Sequence, residues 1–211
     1  QADPPRGIDA SSFQHVGNQP IDWAKVRAAG ITFAYIKATE GRDYLNPWFN
    51  QDADAMTANG IFHGAYHFPD YHDSPELQAI WYVTQVWRAD SKGALPPSIA
   101  VERSEGASAP QIINWLHRWL SEVQMLTGRM PVIYTTAFWR NGVANDASFA
   151  QYPLWIADWG KVSSPHLVGP WRNWLFWQTS DHATIDGVPS PVDTNVFNGD
   201  YEALRRLASE P

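Results

Sequence analysis

Three stretches carry a carboxylate where an apolar run ends. "GIDASS" (7–12) presents Asp9, "PPSIAVERSEG" (96–106) presents Glu102, and "PVDTNVFNG" (191–199) presents Asp193. Around them stand Lys37 and Glu40 in "ITFAYIKATEG", Tyr66 and His67 in "IFHGAYHF", Tyr134 in "PVIYTT", Asp158 and Trp159 in "YPLWIADWG", and Gln178 in "WLFWQTS". Acids trade protons with a glycosidic oxygen, and flat rings match the C–H faces of sugars. This set of groups therefore suits a polyhydroxylated substrate. Side chains two apart on a strand share a face, so Ala100 and Glu102 point the same way. The position beside the acid holds only a methyl. Metal-ligand spacing, a Gly-rich phosphate loop and a G-x-S-x-G elbow are all missing from the sequence, which leaves carboxylate chemistry.

Each residue also has a plainer role. Glu102 is a solvated loop acid or a partner of Arg103, Asp9 a turn cap through Ser11 or Ser12, and Lys37 a partner of Glu40. His67 is a satisfied core histidine, Tyr66 and Tyr134 are half-buried wall, and Asp193 holds its own loop through Asx-type bonds. What favours a site is their recurrence at strand ends.

Those ends must be brought together by the elements between them. Strands are predicted at 7–12, 31–41, 61–68, 97–102, 131–136, 152–158 and 174–180, with a last short one near Val192. Helices are predicted at 21–30, 46–60, 74–90, 108–128 and 199–209. Asp22 and Asn46 are the expected caps, Pro47 sits in a first turn, and Gly30 and Gly60 are stops. Ile112, Ile113, Leu116, Trp119, Leu120 and Val123 recur at helical spacing. Strand–helix alternation predicts parallel strands with crossover helices, and the absence of a composition break predicts one closed barrel. Helices thin out in the second half, so the barrel is expected to be incomplete or distorted there. In a parallel barrel the site lies at the C-terminal strand ends.

Composition narrows the function. The 211 residues include 15 basic and 22 acidic side chains, a net charge of −7, which argues against a nucleic-acid groove. No run approaches the roughly 18 apolar residues of a membrane span. Without cysteine there is no disulfide, thiolate metal site or thiol nucleophile. Twelve Trp, 8 Tyr and 9 Phe predict an aromatic core with a minority of rings lining a cleft. The chain opens at Gln1 without Met, and "QADPPRG" reads as the start of a mature secreted protein more than as a targeting peptide.

The blocks "GIDASSFQ", "FAYIKATEG", "GAYHF", "PVIYTT", "PLWIADWG", "FWQTS" and "VDTNVFNG" resemble, in this order, those of glycoside hydrolase family 25, the Chalaropsis-type lysozymes or N-acetylmuramidases. The resemblance runs from about Gly7 to Gly199. It implies an irregular, flattened TIM-like β/α barrel over residues 7–209, after a tail at 1–6. It implies an antimicrobial hydrolase, secreted or phage-delivered to the cell wall, a monomer acting on peptidoglycan strands without metal or cofactor. The bond cut would be the β-1,4 link between N-acetylmuramic acid and N-acetylglucosamine. Asp9 matches the family's first-strand acid, Glu102 the proton donor of its D-x-E strand, and Asp193 the acid of its late D-x-N turn. Lys37, Glu40, Tyr66, Tyr134, Asp158 and Gln178 match groove positions, and His67 and Trp159 sit inside the same blocks. The first acid of D-x-E falls on Ala100. Either an active muramidase carries a deliberate Asp-to-Ala change, or a natural variant binds glycan without cutting it or cuts with Asp9 or Asp193 in a rearranged role. The missing aspartate implies weak cleavage by this chain. A scaffold domain whose aromatics are all core is the third reading.

Overall fold

The computed structural model describes residues 2–87 and 94–209. Nine strands form one sheet: β1 (Arg6–Ala10), β2 (Ile31–Glu40), β3 (Tyr44–Leu45), β4 (Phe62–Phe68), β5 (Ser98–Val101), β6 (Val132–Thr135), β7 (Leu154–Ala157), β8 (Phe176–Ala183) and β9 (Val192–Phe197). They are ordered β1-β9-β8-β7-β6-β5-β4-β2-β3, and β1 also pairs with β2. That last pairing closes eight strands into a barrel and leaves β3 as an appendage on β2. The barrel is thus closed, as expected, and its second half is distorted but not incomplete. Its irregularity lies in β9, which runs antiparallel to both β8 and β1, while β1, β2 and β4 to β8 are mutually parallel. Asp193 therefore sits in a barrel strand and not in a turn.

Among the described residues six α-helices flank the barrel: α1 (Trp23–Ala28), α2 (Phe49–Ala58), α3 (Pro75–Val86), α4 (Ala109–Thr127), α5 (Trp139–Gly142) and α6 (Tyr201–Ser209). Their ends follow local chemistry. Ser108 accepts from the Gln111 N–H at 3.3 Å, and Gly128, at φ 70°, stops α4 in the left-handed region. Asp22 caps α1 as expected, accepting from Lys25 N–H at 3.1 Å. Helix α2 starts later than its sequence suggests. Asn46 is occupied elsewhere: its amide donates to the Lys37 carbonyl at 2.8 Å and its oxygen accepts from Trp48 N–H at 3.0 Å. The final residues of the helix predicted over 74–90, from 88 on, lie outside the described residues.

Two cores result. The larger lies between barrel and helices and takes the apolar stripe of α4, including Ile112, Leu116, Trp119, Leu120 and Val123. The smaller fills the barrel interior with Phe33, Tyr35, Tyr134, Trp155, Phe176 and Phe197. Rings this large leave no room for neighbours. A Cβ on Gly7 would lie 2.3 Å from the Phe33 ring, and one on Gly64 2.3 Å from Tyr35. Leu204 and Ala208 of α6 join this interior cluster. Because α6 follows β9, it plugs the barrel at the N-terminal end of the parallel strands.

Candidate active site

At the opposite end, where the parallel strands finish, a pocket of about 350 Å³ is lined by Asp9, Tyr66, Ala100, Glu102, Tyr134, Trp155, Gln178 and Asp193. Strand parity places these side chains. Ala100 pairs with Tyr134, Tyr134 with Trp155, Gln178 with Asn195, and Asp193 with Asp9 across successive ladders.

The Asp9–Asp193 pair is two carboxyls directly opposite on antiparallel strands, an arrangement that like charges make unfavourable. Burial raises Asp193 to about 9, and the facing charge of Asp9 adds to it. Burial also raises Asp9, but hydrogen bonds from Asp193, Asn195 and Gln178 pull it back. The Asn195 amide donates to Asp9 Oδ2 at 2.8 Å and the Gln178 amide to the same oxygen at 2.9 Å. Asp193 Oδ2 receives the Gln178 amide at 3.1 Å. With both amides focused on Asp9, the proton that the pair shares favours Asp193.

Gln178 is the hub. Its Oε1 accepts from Tyr134 OH and from Trp159 Nε1, each at 2.9 Å, so both ends of the amide are fully used. Trp155 donates its indole N–H to Asn195 Oδ1 at 2.7 Å and lies against Tyr35 with centroids 4.8 Å apart. The acid pair is therefore held by a chain of fixed donors anchored in the barrel core.

Glu102 differs. It follows β5 directly, and its carboxyl receives no hydrogen bond from any described side chain or backbone group. Burial raises its pKa; Asp9 pushes the same way, and Arg103 and Lys37 pull against them. An acid whose pKa burial raises, with free lone pairs in a pocket, is suited to proton donation. Ala100 presents its methyl on the same pocket wall.

The remaining predicted positions divide. Lys37 bonds Glu40 at 2.6 Å and lies 5.1 Å from the Phe68 ring centroid, so the pair is satisfied internally beside the site. Trp159 is 51% exposed and forms a rim above Gln178. Asp158 does not line the pocket. Burial works to raise it, yet the backbone and ring N–H groups of His166 and the Gly160 amide hold it below the usual range. His67, expected in the groove, is a core residue and is corrected accordingly. It is fully buried between Thr39 Oγ1 at 2.7 Å and Gln78 Oε1 at 3.0 Å, and stacks on Trp119. Trp155 and Asn195 were missed. The signal was parity: Asn195 shares its strand face with Asp193, and Trp155 lies on the face opposite to Asp158.

Residues 8–188 match the family model of Glycosyl hydrolases family 25. The chain belongs to glycosyl hydrolase family 25. Lysozyme M1 of Streptomyces globisporus is 35% identical over 215 residues, covering 97% of this chain and 71% of that protein. The uncharacterized protein YegX of Escherichia coli K12 is 37% identical over 94% of this chain and 71% of its own length. The crystal structure of a bacterial lysozyme from Streptomyces coelicolor superposes with a TM-score of 0.89 at 34% identity, covering 99% of this chain and 98% of that one. The family is one of glycoside hydrolases that includes lysozymes and muramidases, and the closed eight-stranded barrel of this chain is the fold of its solved lysozyme structures.

Proposed function

We propose that the protein is an N-acetylmuramidase that cleaves the β-1,4 bond between N-acetylmuramic acid and N-acetylglucosamine in peptidoglycan, and that Ala100 slows this chain severely. On this reading it works outside the cell, as a monomer on glycan strands. The observation that carries the proposal is Glu102 and Ala100 on one wall of a pocket whose other wall is the proton-sharing pair Asp9 and Asp193.

Glu102 protonates the glycosidic oxygen as that C–O bond breaks. The substrate's 2-acetamido oxygen closes on the anomeric carbon, and Glu102, now a carboxylate, takes a proton from the water that opens the resulting ring. An aspartate at position 100 would accept from the acetamido N–H and steady the positive charge. A methyl does neither, and losing a preorganised group of this kind costs on the order of a hundredfold or more.

The test is clearing of purified peptidoglycan by the chain and by Ala100→Asp side by side. The variant should clear at least about a hundredfold faster. If the folded variant leaves peptidoglycan intact, the muramidase reading fails. The same methyl supports a second reading, a natural glycan-binding barrel without turnover. It predicts saturable muropeptide binding and no gain of cleavage from Ala100→Asp.

A further inference from the structure

A second groove lies at the other end of the barrel. Its empty volume is about 950 Å³, and its lining comes from the segments that lead into β7 and β8, residues 150–154 and 170–175. These are the N-terminal ends of parallel strands, so this groove and the catalytic pocket open at opposite poles. Its walls include Gln151, Tyr152, Trp171, Arg172, Asn173 and Trp174.

Ala150 and Gln151 end a 3-10 helix (Ala147–Gln151) and Leu154 opens β7, whereas residues 171–175 have no helix or strand, yet both segments are tightly held. Trp171 donates its indole N–H to the Tyr152 carbonyl at 2.8 Å. The Asn198 amide donates to Asn173 Oδ1 at 3.1 Å and to the Trp174 carbonyl at 2.8 Å. Leu175 N–H reaches the Leu154 carbonyl at 2.8 Å. A groove fixed in this way loses little entropy on binding.

Its chemistry is opposite to that of the catalytic pocket. Three acids line that pocket, whereas no acidic residue lines this groove. Arg172 is exposed and makes no ion pair or hydrogen bond with any described residue, in a chain of net charge −7. Trp174 is half-buried and its indole N–H has no hydrogen-bond partner among the described residues. The Asn173 Nδ2 and Gln151 Oε1 atoms are likewise free to bond a ligand. Flat rings, free amides and one unpaired guanidinium match a sugar chain that carries carboxylates.

Resting on the muramidase reading, we infer that this groove is a second binding site for peptidoglycan, taking a carboxylate-bearing glycan strand while the catalytic pocket engages another. Trp174 supplies the stacking face and Arg172 pairs with a lactyl or stem-peptide carboxylate. Two sites at opposite poles bridge neighbouring strands of a wall and slow release from it, without adding to the affinity for one short oligomer.

The experiment uses the intact chain, Arg172→Glu and Trp174→Ala. Binding to sedimented peptidoglycan should fall roughly tenfold in both variants. In an NMR titration of the parent chain, the Trp174 indole N–H signal should move with a soluble disaccharide-peptide, and less with uncharged chitotetraose. If Arg172→Glu binds walls as the parent does, or if the Trp174 signal stays fixed with the disaccharide-peptide, the second site is refuted while the catalytic reading stands. If the parent itself does not bind walls, both fall. Arg172 is exposed, so its variant decides the matter even if Trp174→Ala does not fold.

Discussion

Asp193→Asn tests the proton shared across β1 and β9. A carboxyl whose pKa rises on folding holds a proton that the unfolded chain has released. Its stabilising effect is complete below the ordinary carboxylate value and is lost as pH climbs toward the folded value, here about 9. One proton corresponds to about 1.36 kcal/mol per pH unit. Between pH 5 and pH 8 the parent should therefore lose on the order of 4 kcal/mol through this site. Asparagine does not titrate, and its amide still donates toward Asp9. The stability of Asp193→Asn relative to the parent should thus rise by on the order of 4 kcal/mol over that range, other groups cancelling in the difference. Urea unfolding at each pH, followed by tryptophan fluorescence, measures it. A difference that stays constant with pH refutes the proton-sharing arrangement.

Three further outcomes follow from the same contacts. Trp155→Phe keeps a ring in the barrel core but strips the buried Asn195 Oδ1 of its 2.7 Å donor, and should cost about 1–3 kcal/mol in urea unfolding. Burial lowers His67 to about 4, so its ring resonances should stay those of neutral imidazole down to about pH 5; because the unfolded chain binds that proton first, stability from this site is full above about pH 6.5 and falls by about 3 kcal/mol toward pH 4. Ala100→Asp adds a carboxylate to a pocket that already holds Asp9, Glu102 and Asp193, and should melt several degrees lower at pH 7, with the gap narrowing in acid, by calorimetry.

What could be read from the residues was the layout, and what could not was parity. Strand–helix alternation, the cap at Asp22 and the stops at Gly30 and Gly60 located the elements, since those signals act within a few residues. The reversal of β9, antiparallel to both β8 and β1, is a long-range pairing, and no local pattern encodes it. The same limit explains His67. Tyr66 faces the pocket, so its neighbour must face the helices, where Thr39 and Gln78 satisfy both ring nitrogens. Asp158 lies just beyond β7, one residue past inward-facing Ala157, and turns to His166. Trp155, two residues before Ala157, is the one that faces in. Applying alternation outward from Glu102 or Asp193 selects Ala100 and Asn195 at once. Applying it to a strand whose last residue is uncertain reverses the answer.

The electrostatics of the pocket also bear on the methyl at position 100. Three acids are already gathered there, and the two cations acting on Glu102 are drawn off, Arg103 by Glu105 at 3.1 Å and Lys37 by Glu40 at 2.6 Å. The protein neutralises this cluster with a proton on Asp193 and with amides on Asp9, while Glu102 is left without a donor. A fourth carboxylate beside Glu102 would raise the pKa of that acid further, which helps it keep its proton for catalysis and opposes folding at neutral pH. Stability and turnover thus pull position 100 in opposite directions. Alanine is the residue that favours the fold, and the gain in rate on restoring a carboxylate should appear together with a loss in melting temperature, not independently of it.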